Sequence, residues 1–203
     1  MCNDYEENVA WARYRAAMRT VDLAIAERQS SVDLPPVADI WIGNTGPVAR
    51  WAGHAVELAP MRFGMMPANP RCGPVFNLRS EGRHFANSNR CLVVASAFYE
   101  FTGASYPKTK HRFTLNDAPC MAIAGIWRAG SGNQPDEFAM LTTVPGPDVA
   151  PIHNRQIIVL RPEAWRAWLD LAVPEAELLR PLQAGSLSVE IVRRGREEEP
   201  RLI

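Results

Sequence analysis

A cysteine stands directly behind Met1 in the opening MCNDY, and removal of the methionine would leave Cys2 as a free N-terminus. Such a residue carries an α-amine with a reference pKa of roughly 7.7 to 8.0 beside a thiol of roughly 8.5, so both nucleophiles are partly deprotonated near neutral pH. A Met-Cys start also arises by chance, and the rest of the chain has to supply its partners. Three stretches hold side chains of suitable type. Glu100 closes the apolar run RCLVVASAFYEF between Tyr99 and Phe101. Strand alternation sends it to the face opposite those aromatics. There it is either a solvated outward carboxylate, the reading the pattern favours, or a pocket acid whose pKa burial would raise into a working range. His153, in VAPIHNRQIIVL, falls on a loop entering a strand; it is a structural histidine or a group for proton transfer near neutral pH. Asn77 and Arg79, in FNLRSEG, share one face of an extended segment, where an amide and a guanidinium could orient a substrate and hold a phosphate, or stabilise a turn.

The elements that would carry these groups belong to a strand-rich α+β fold. Val9, Tyr14, Ala17, Met18, Val21 and Ile25 recur at steps of mostly three and four, which predicts one amphipathic helix over residues 6 to 28, ended by SSVDLPP. From Val37 onward, HAVELAPMRFGMM, RCLVVASAFYEF, HRFTL, CMAIAGIW, EFAMLTTV and RQIIVL alternate with turn-formers and read as strands of a mixed or antiparallel, barrel-like core. Pro162 suits the first turn of a helix through EAWRAWLDL, a short helix follows from Pro174 to about Gln183, and LSVEIVRR returns to a strand. Without a repeat or a long linker, residues 1 to 203 read as a single domain, with a charged, partly mobile tail over 190 to 203.

The 203 residues are 47% hydrophobic and carry zero formal charge, so a nucleic-acid partner would have to be met by a local basic surface rather than a whole-molecule field. Lys108 and Lys110 are the only lysines beside 20 arginines, a bias that base composition alone can produce. Cys2, Cys72, Cys91 and Cys120 form no metal-ligand spacing and no disulfide pattern, which predicts no metal, no cofactor and a reducing compartment. The acidic start and the lack of a long apolar run predict a cytoplasmic protein without a membrane segment.

Taken in order, MCN, MRFGMMP at 61 to 67, NLRSE at 77 to 81, RCLVVASAFYEF at 90 to 101, AGIW at 124 to 127 and LTTVPGPDVAPIHNRQIIVL at 141 to 160 resemble the SOS-response-associated peptidase (SRAP) family, from Cys2 to about Leu169. The resemblance implies a protein that recognises abasic sites in single-stranded DNA. It would bond covalently to the sugar aldehyde through the N-terminal cysteine and shield the lesion in the DNA damage response, associated with the nucleoid when bound. It implies catalytic roles for Cys2, Asn77, Glu100 and His153, with Arg79 and Arg155 on phosphates and Phe63, Met65 and Met66 as an apolar wedge against unstacked bases. Amine and aldehyde would condense to a Schiff base, and the thiol would close it to a thiazolidine. Met1 must leave first, by self-cleavage assisted by the Cys2 thiol and Glu100 or by an aminopeptidase; broad proteolysis is not implied. Nothing calls for more than a monomer.

Three positions depart from the family pattern. Asp4 replaces a common arginine, which removes one candidate phosphate contact; Phe63-Gly64 replaces Trp-Gly; and the proline usual after Arg155 is absent. Two other readings of Cys2 remain at this level: an N-terminal-nucleophile amidohydrolase using the α-amine as base, and a catalytically silent nucleic-acid-binding module.

Overall fold

The run from Arg90 to Ala95 lacks polar alternation, which suits a strand covered on both faces. A computed structural model of the chain, which describes residues 2–26, 37–69, 71–118 and 120–196, shows how this is met. β6 (Asn89–Ala95) sends Cys91, Val93 and Ala95 into one core and Leu92 and Val94 into a second. β9 (Met121–Arg128) divides the same way, with Met121 and Ile123 against Ala122 and Ala124. Together with β3 (Thr45–Ala52), β4 (Ala55–Phe63) and β10 (Glu137–Thr143) they close a ring: β4 pairs with β3, β3 with β6, β6 with β9, β9 with β10, and β10 with β4. This is the barrel-like core expected from the sequence. Where β4 leaves β10 at Phe138, β5 (Asn77–Arg79) takes over the pairing, setting Asn77 opposite Met140 and Arg79 opposite Thr142. β11 (Gln156–Ile157) and β12 (Val159–Leu160) add to β10 and β9.

A second, antiparallel sheet has the order β13-β8-β7-β1-β2, built from β1 (Asp4–Glu7), β2 (Val37–Trp41), β7 (Ala97–Thr102), β8 (Thr109–Leu115) and β13 (Leu187–Arg193). Its inner face sends Tyr5, Ile40, Phe98, Phe113 and Leu187 into the first core, with the Phe98 and Phe113 rings stacked at 4.8 Å. Tyr5 seats its hydroxyl over Gly46 of β3, where any added Cβ would overlap it. The outer face carries charge pairs: Arg112 between Glu6 and Glu190, and Lys110 between Asp4 and Asp39.

The helices cover the second core. α1 (Trp11–Thr20) contributes Trp11, Tyr14 and Met18, and α2 (Pro162–Asp170), with proline in its first turn as expected, contributes Trp165 and Trp168. Both α2 indoles are fully buried with their N–H groups satisfied, by the carbonyls of Leu160 and Cys91, so the apolar gain is not offset by an unpaired donor.

Three element boundaries differ from expectation. The N-terminal helix is shorter than 6 to 28, because residues 4–7 are recruited as the strand between β2 and β7; Lys110 and Arg112 make that possible for an acidic segment by pairing Asp4 and Glu6. The SSVDLPP turn lies outside the described residues. The helix expected from Pro174 to Gln183 is reduced to α3 (Glu175–Leu178), as Pro181 removes a donor and disfavours helical backbone at Arg180. The expected tail from 190 starts too early, since Glu190 to Arg193 complete β13 against β8; residues 197–203 are outside the described set. Among the described residues, no helix is long and apolar enough to cross a membrane.

Candidate active site

The register of β1 on β7 sets Tyr5 opposite Phe98 and Glu6 opposite Ala97, so the chain ahead of β1 runs alongside Tyr99 and Glu100. Cys2 is buried there at 1% exposure. Its thiol donates to the Asp4 carbonyl at 3.2 Å and meets the Tyr99 backbone. Burial, with the nearby Glu100 charge adding to it, pushes the thiol pKa far above its ordinary value, so the sulfur is held as S–H rather than thiolate. The backbone N–H of Cys2 donates to Glu100. That nitrogen would become the α-amine once Met1 is gone. From β5, Asn77 Nδ2 donates to the Cys2 carbonyl at 2.7 Å, while its Oδ1 is buried and accepts no hydrogen bond among the described residues.

Glu100 corrects one sequence reading. Alternation does place it opposite Tyr99 and Phe101, but the aromatics occupy the outer face of the sheet and the carboxylate turns inward, 1% exposed. Burial raises its pKa to about 7, against the opposing pull of the N-terminal charge and, more weakly, of the Cys2 N–H. A carboxyl group at that value both takes and returns a proton at neutral pH.

His153 ends the turn that begins at Gly146, its N–H donating to the Val149 carbonyl. Nε2 lies 3.8 Å from Glu100 Oε2, and Nδ1 lies 3.0 Å from both the N–H and the carbonyl oxygen of Arg155. Those two backbone atoms serve both charge states: the neutral ring accepts from the N–H and keeps its proton on Nε2, toward Glu100, while the protonated ring donates Nδ1–H to the carbonyl. Burial lowers the His153 pKa, which favours the neutral form.

Cys2, Asn77, Glu100 and His153 thus come together. The expected DNA contacts fare differently. Arg79, two residues after Asn77, is exposed. Arg155 is not a free phosphate clamp: Glu81 holds its guanidinium in a bidentate pair at 2.7 and 2.9 Å, and Thr142 Oγ1 accepts at 2.9 Å. That pairing holds the Glu81 carboxyl down at about 2. Phe63 is not a wedge. It is fully buried, stacked on Phe138 at 5.2 Å and meeting Tyr5 and Phe76 edge-on; Met66 is exposed and Met65 partly so. Phe63→Ala should therefore act on stability, costing about 3–5 kcal/mol in urea unfolding, with any DNA binding following the folded fraction.

Beside Glu100 and His153 opens a cavity of about 370 Å³, lined also by Asn3, Trp41, Phe101, Tyr106, Lys108 and Arg193. Trp41 is 42% and Tyr106 79% exposed, so stacking surfaces and two cations border the reactive cluster. Sequence reasoning gave these residues no role; the available signal was that both lysines of the chain fall within three positions of each other. Asp4 is a further surprise. It is 0% exposed and ion-paired to Lys110 at 2.6 Å, and burial lifts its pKa to about 6 against the Lys110 charge. A wider hollow of about 980 Å³ between residues 80–86 and 171–179 holds none of the four converging groups. No cluster of metal-ligating side chains occurs among the described residues.

The chain is 29% identical over 146 residues to the abasic site processing protein YoqW of Bacillus subtilis, covering 64% of this chain and 65% of that protein. It is 25% identical over 126 residues to the abasic site processing protein YMR114C of Saccharomyces cerevisiae, covering 55% and 34%. The matched segment thus spans about two thirds or less of these relatives' length. Among solved structures, a protein from Bordetella bronchiseptica superposes with a TM-score of 0.70 at 26% identity, covering 95% of this chain and 100% of the other. One from Bacteroides thetaiotaomicron shares the fold, with a TM-score of 0.69 at 18% identity, covering 95% and 92%. The family model for the SOS response associated peptidase (SRAP) matches residues 1–195, and with that extent of match the chain belongs to the SRAP family.

Proposed function

We propose that the protein processes abasic sites in single-stranded DNA by capturing the sugar aldehyde on the Cys2 aminothiol after Met1 is removed. The observation that carries this reading is the convergence on Cys2: its nitrogen on Glu100, its carbonyl on Asn77 at 2.7 Å, and His153 3.8 Å from the same carboxylate.

Chemistry begins at the amine, because the buried thiol is held protonated. His153 Nε2–H donates to the ring oxygen of the closed sugar and helps open it to the aldehyde. The α-amine attacks the carbonyl carbon, with its released proton passing through Glu100; the carbinolamine then loses water to give the imine. Cys2 Sγ adds to the imine carbon, its S–H proton ends on the nitrogen, and a five-membered thiazolidine results. The net change is loss of one water. Asn77 fixes the attacking group by its grip on the Cys2 carbonyl and offers Oδ1 to the new amine, a positioning role. Arg79, the exposed Met66, and the Trp41, Tyr106, Lys108 and Arg193 border would bind flanking phosphates and bases. In this reading the monomer shields the lesion, and Met1 leaves by a Glu100-assisted self-cleavage or by an aminopeptidase.

The test is a mass measurement. Purified protein lacking Met1, incubated with a single-stranded oligonucleotide carrying one abasic site, should give a denaturation-resistant species of summed mass minus one water. An unreduced mass equal to the sum, no adduct at all, or equal reaction with Met1 retained would each refute the mechanism. Turnover of small amides without an adduct would point instead to an amidohydrolase, and salt-sensitive noncovalent binding to a silent binding module.

A further inference from the structure

One ammonium group stands at the junction of the segments that touch the Cys2 thiol. Lys110, on β8 and 8% exposed, places Nζ 2.6 Å from Asp4 Oδ2 on β1, 2.5 Å from Asp39 Oδ1 on β2, and 3.6 Å from the centre of the Tyr99 ring on β7. Asp4 supplies the carbonyl that accepts the Cys2 S–H at 3.2 Å, and the Tyr99 backbone meets the same sulfur. Trp41, 5.4 Å from Nζ, is a wall of the cavity beside Glu100. One charge therefore ties together three strands, two of which contact the thiol. A buried ion pair adds little net stability over apolar packing, so its yield here is geometric. Contact with DNA is closed to an Asp4 side chain that exposes no surface.

We propose that Lys110 is a positioning residue for the Cys2 aminothiol, holding Asp4 and Tyr99 so that Cys2 stays seated against Glu100 and Asn77. The proposal rests on the crosslinking reading above. A compact ammonium can serve three partners at different angles, whereas the planar fork of arginine is built for two parallel bonds.

The test uses Met1-free full chain in single-turnover crosslinking across a range of abasic single-stranded DNA concentrations. Lys110→Met alone strands a buried carboxylate, so the informative variant is the pair Asp4→Asn with Lys110→Met, which removes both charges at similar shape. Its saturating rate constant should fall by ~10-fold to 100-fold, the scale of a small misplacement of a reacting group, while the half-saturating DNA concentration stays within about twofold of wild type, as expected when a change acts only after DNA is bound. Should the pair fail to fold, Lys110→Arg takes its place and should lower the saturating rate at unchanged half-saturation. A wild-type saturating rate in the folded variant overturns the proposal. So does a loss confined to half-saturation, which would make Lys110 a DNA contact. Absence of an adduct with the unmodified chain would instead sink the crosslinking reading itself.

Discussion

Cys2→Ala should form no denaturation-resistant adduct with abasic DNA, yet borohydride should still trap a covalent product. Under the proposed mechanism the variant, once freed of Met1, keeps as its α-amine the nitrogen that faces Glu100 and loses only the sulfur, so the imine forms but cannot close to the ring and returns to amine and aldehyde by hydrolysis. The expected loss without reductant is complete, because no other described group replaces the ring-closing thiol: Cys91 and Cys120 are buried and their pKa values are raised by burial, and Cys72 sits on the 65–75 loop, outside the cluster. An unchanged stable adduct in this variant would refute the central claim. Failure of borohydride to trap anything would show that the amine is not the first nucleophile.

Glu100→Gln has two expected effects of opposite sign. On chemistry, removing the group proposed to relay protons should slow crosslinking ~10²-fold or more, and the rise in rate through about pH 7 expected from ionisation of Glu100 should disappear, leaving the limb of the amine. On stability, the folded state holds the Glu100 proton up to about pH 7, while the unfolded chain releases it near the ordinary value of roughly 4.3. Between those pH values the folded state binds more protons, so rising pH costs folded stability, on the order of 3 kcal/mol when complete. Glutamine escapes that cost. The variant should melt above wild type at pH 8, with the difference closing toward pH 4. Asp4 and Glu7, raised to about 6 and about 7 by burial, act in the same direction and remain, so part of the alkaline destabilisation survives. A variant that melts at the wild-type temperature at both pH values would mean Glu100 is not held protonated by its surroundings.

The strands were legible because burial leaves a compositional mark. RCLVVA and CMAIAG are apolar on both faces since each divides its side chains between two cores. Residues 4–7 left no such mark. A segment with three acidic residues in four becomes an inner strand only because Lys110 and Arg112 reach it across β7, ion pairs between residues 106 apart that no local pattern announces. The site was readable to the same extent. Motif order brought out Cys2, Asn77, Glu100 and His153, but not which face of β7 meets water, and so the pattern favoured an exposed Glu100. Phe63 shows the converse error: an aromatic at a position where the family carries one was read as surface, while three neighbouring rings claim it for the core.

The seating of β1 between β2 and β7 also bears on timing during synthesis. Cys2 gains its enclosure only when Phe98 and its neighbours exist to pair with Tyr5. Chains grow at roughly 5–20 residues per second, so the stretch up to β7 takes on the order of 5 to 20 seconds to appear. For that interval the nascent N-terminus has only β2 to pair with, lacks the strand that carries Glu100, and under the proposed reading is open to a ribosome-associated aminopeptidase. Afterwards Cys2 is buried with its nitrogen facing Glu100, and an outside enzyme would meet a folded site instead of a loose chain end. Under the proposed reading, the order of these two events decides whether each molecule is armed by the cell or by itself.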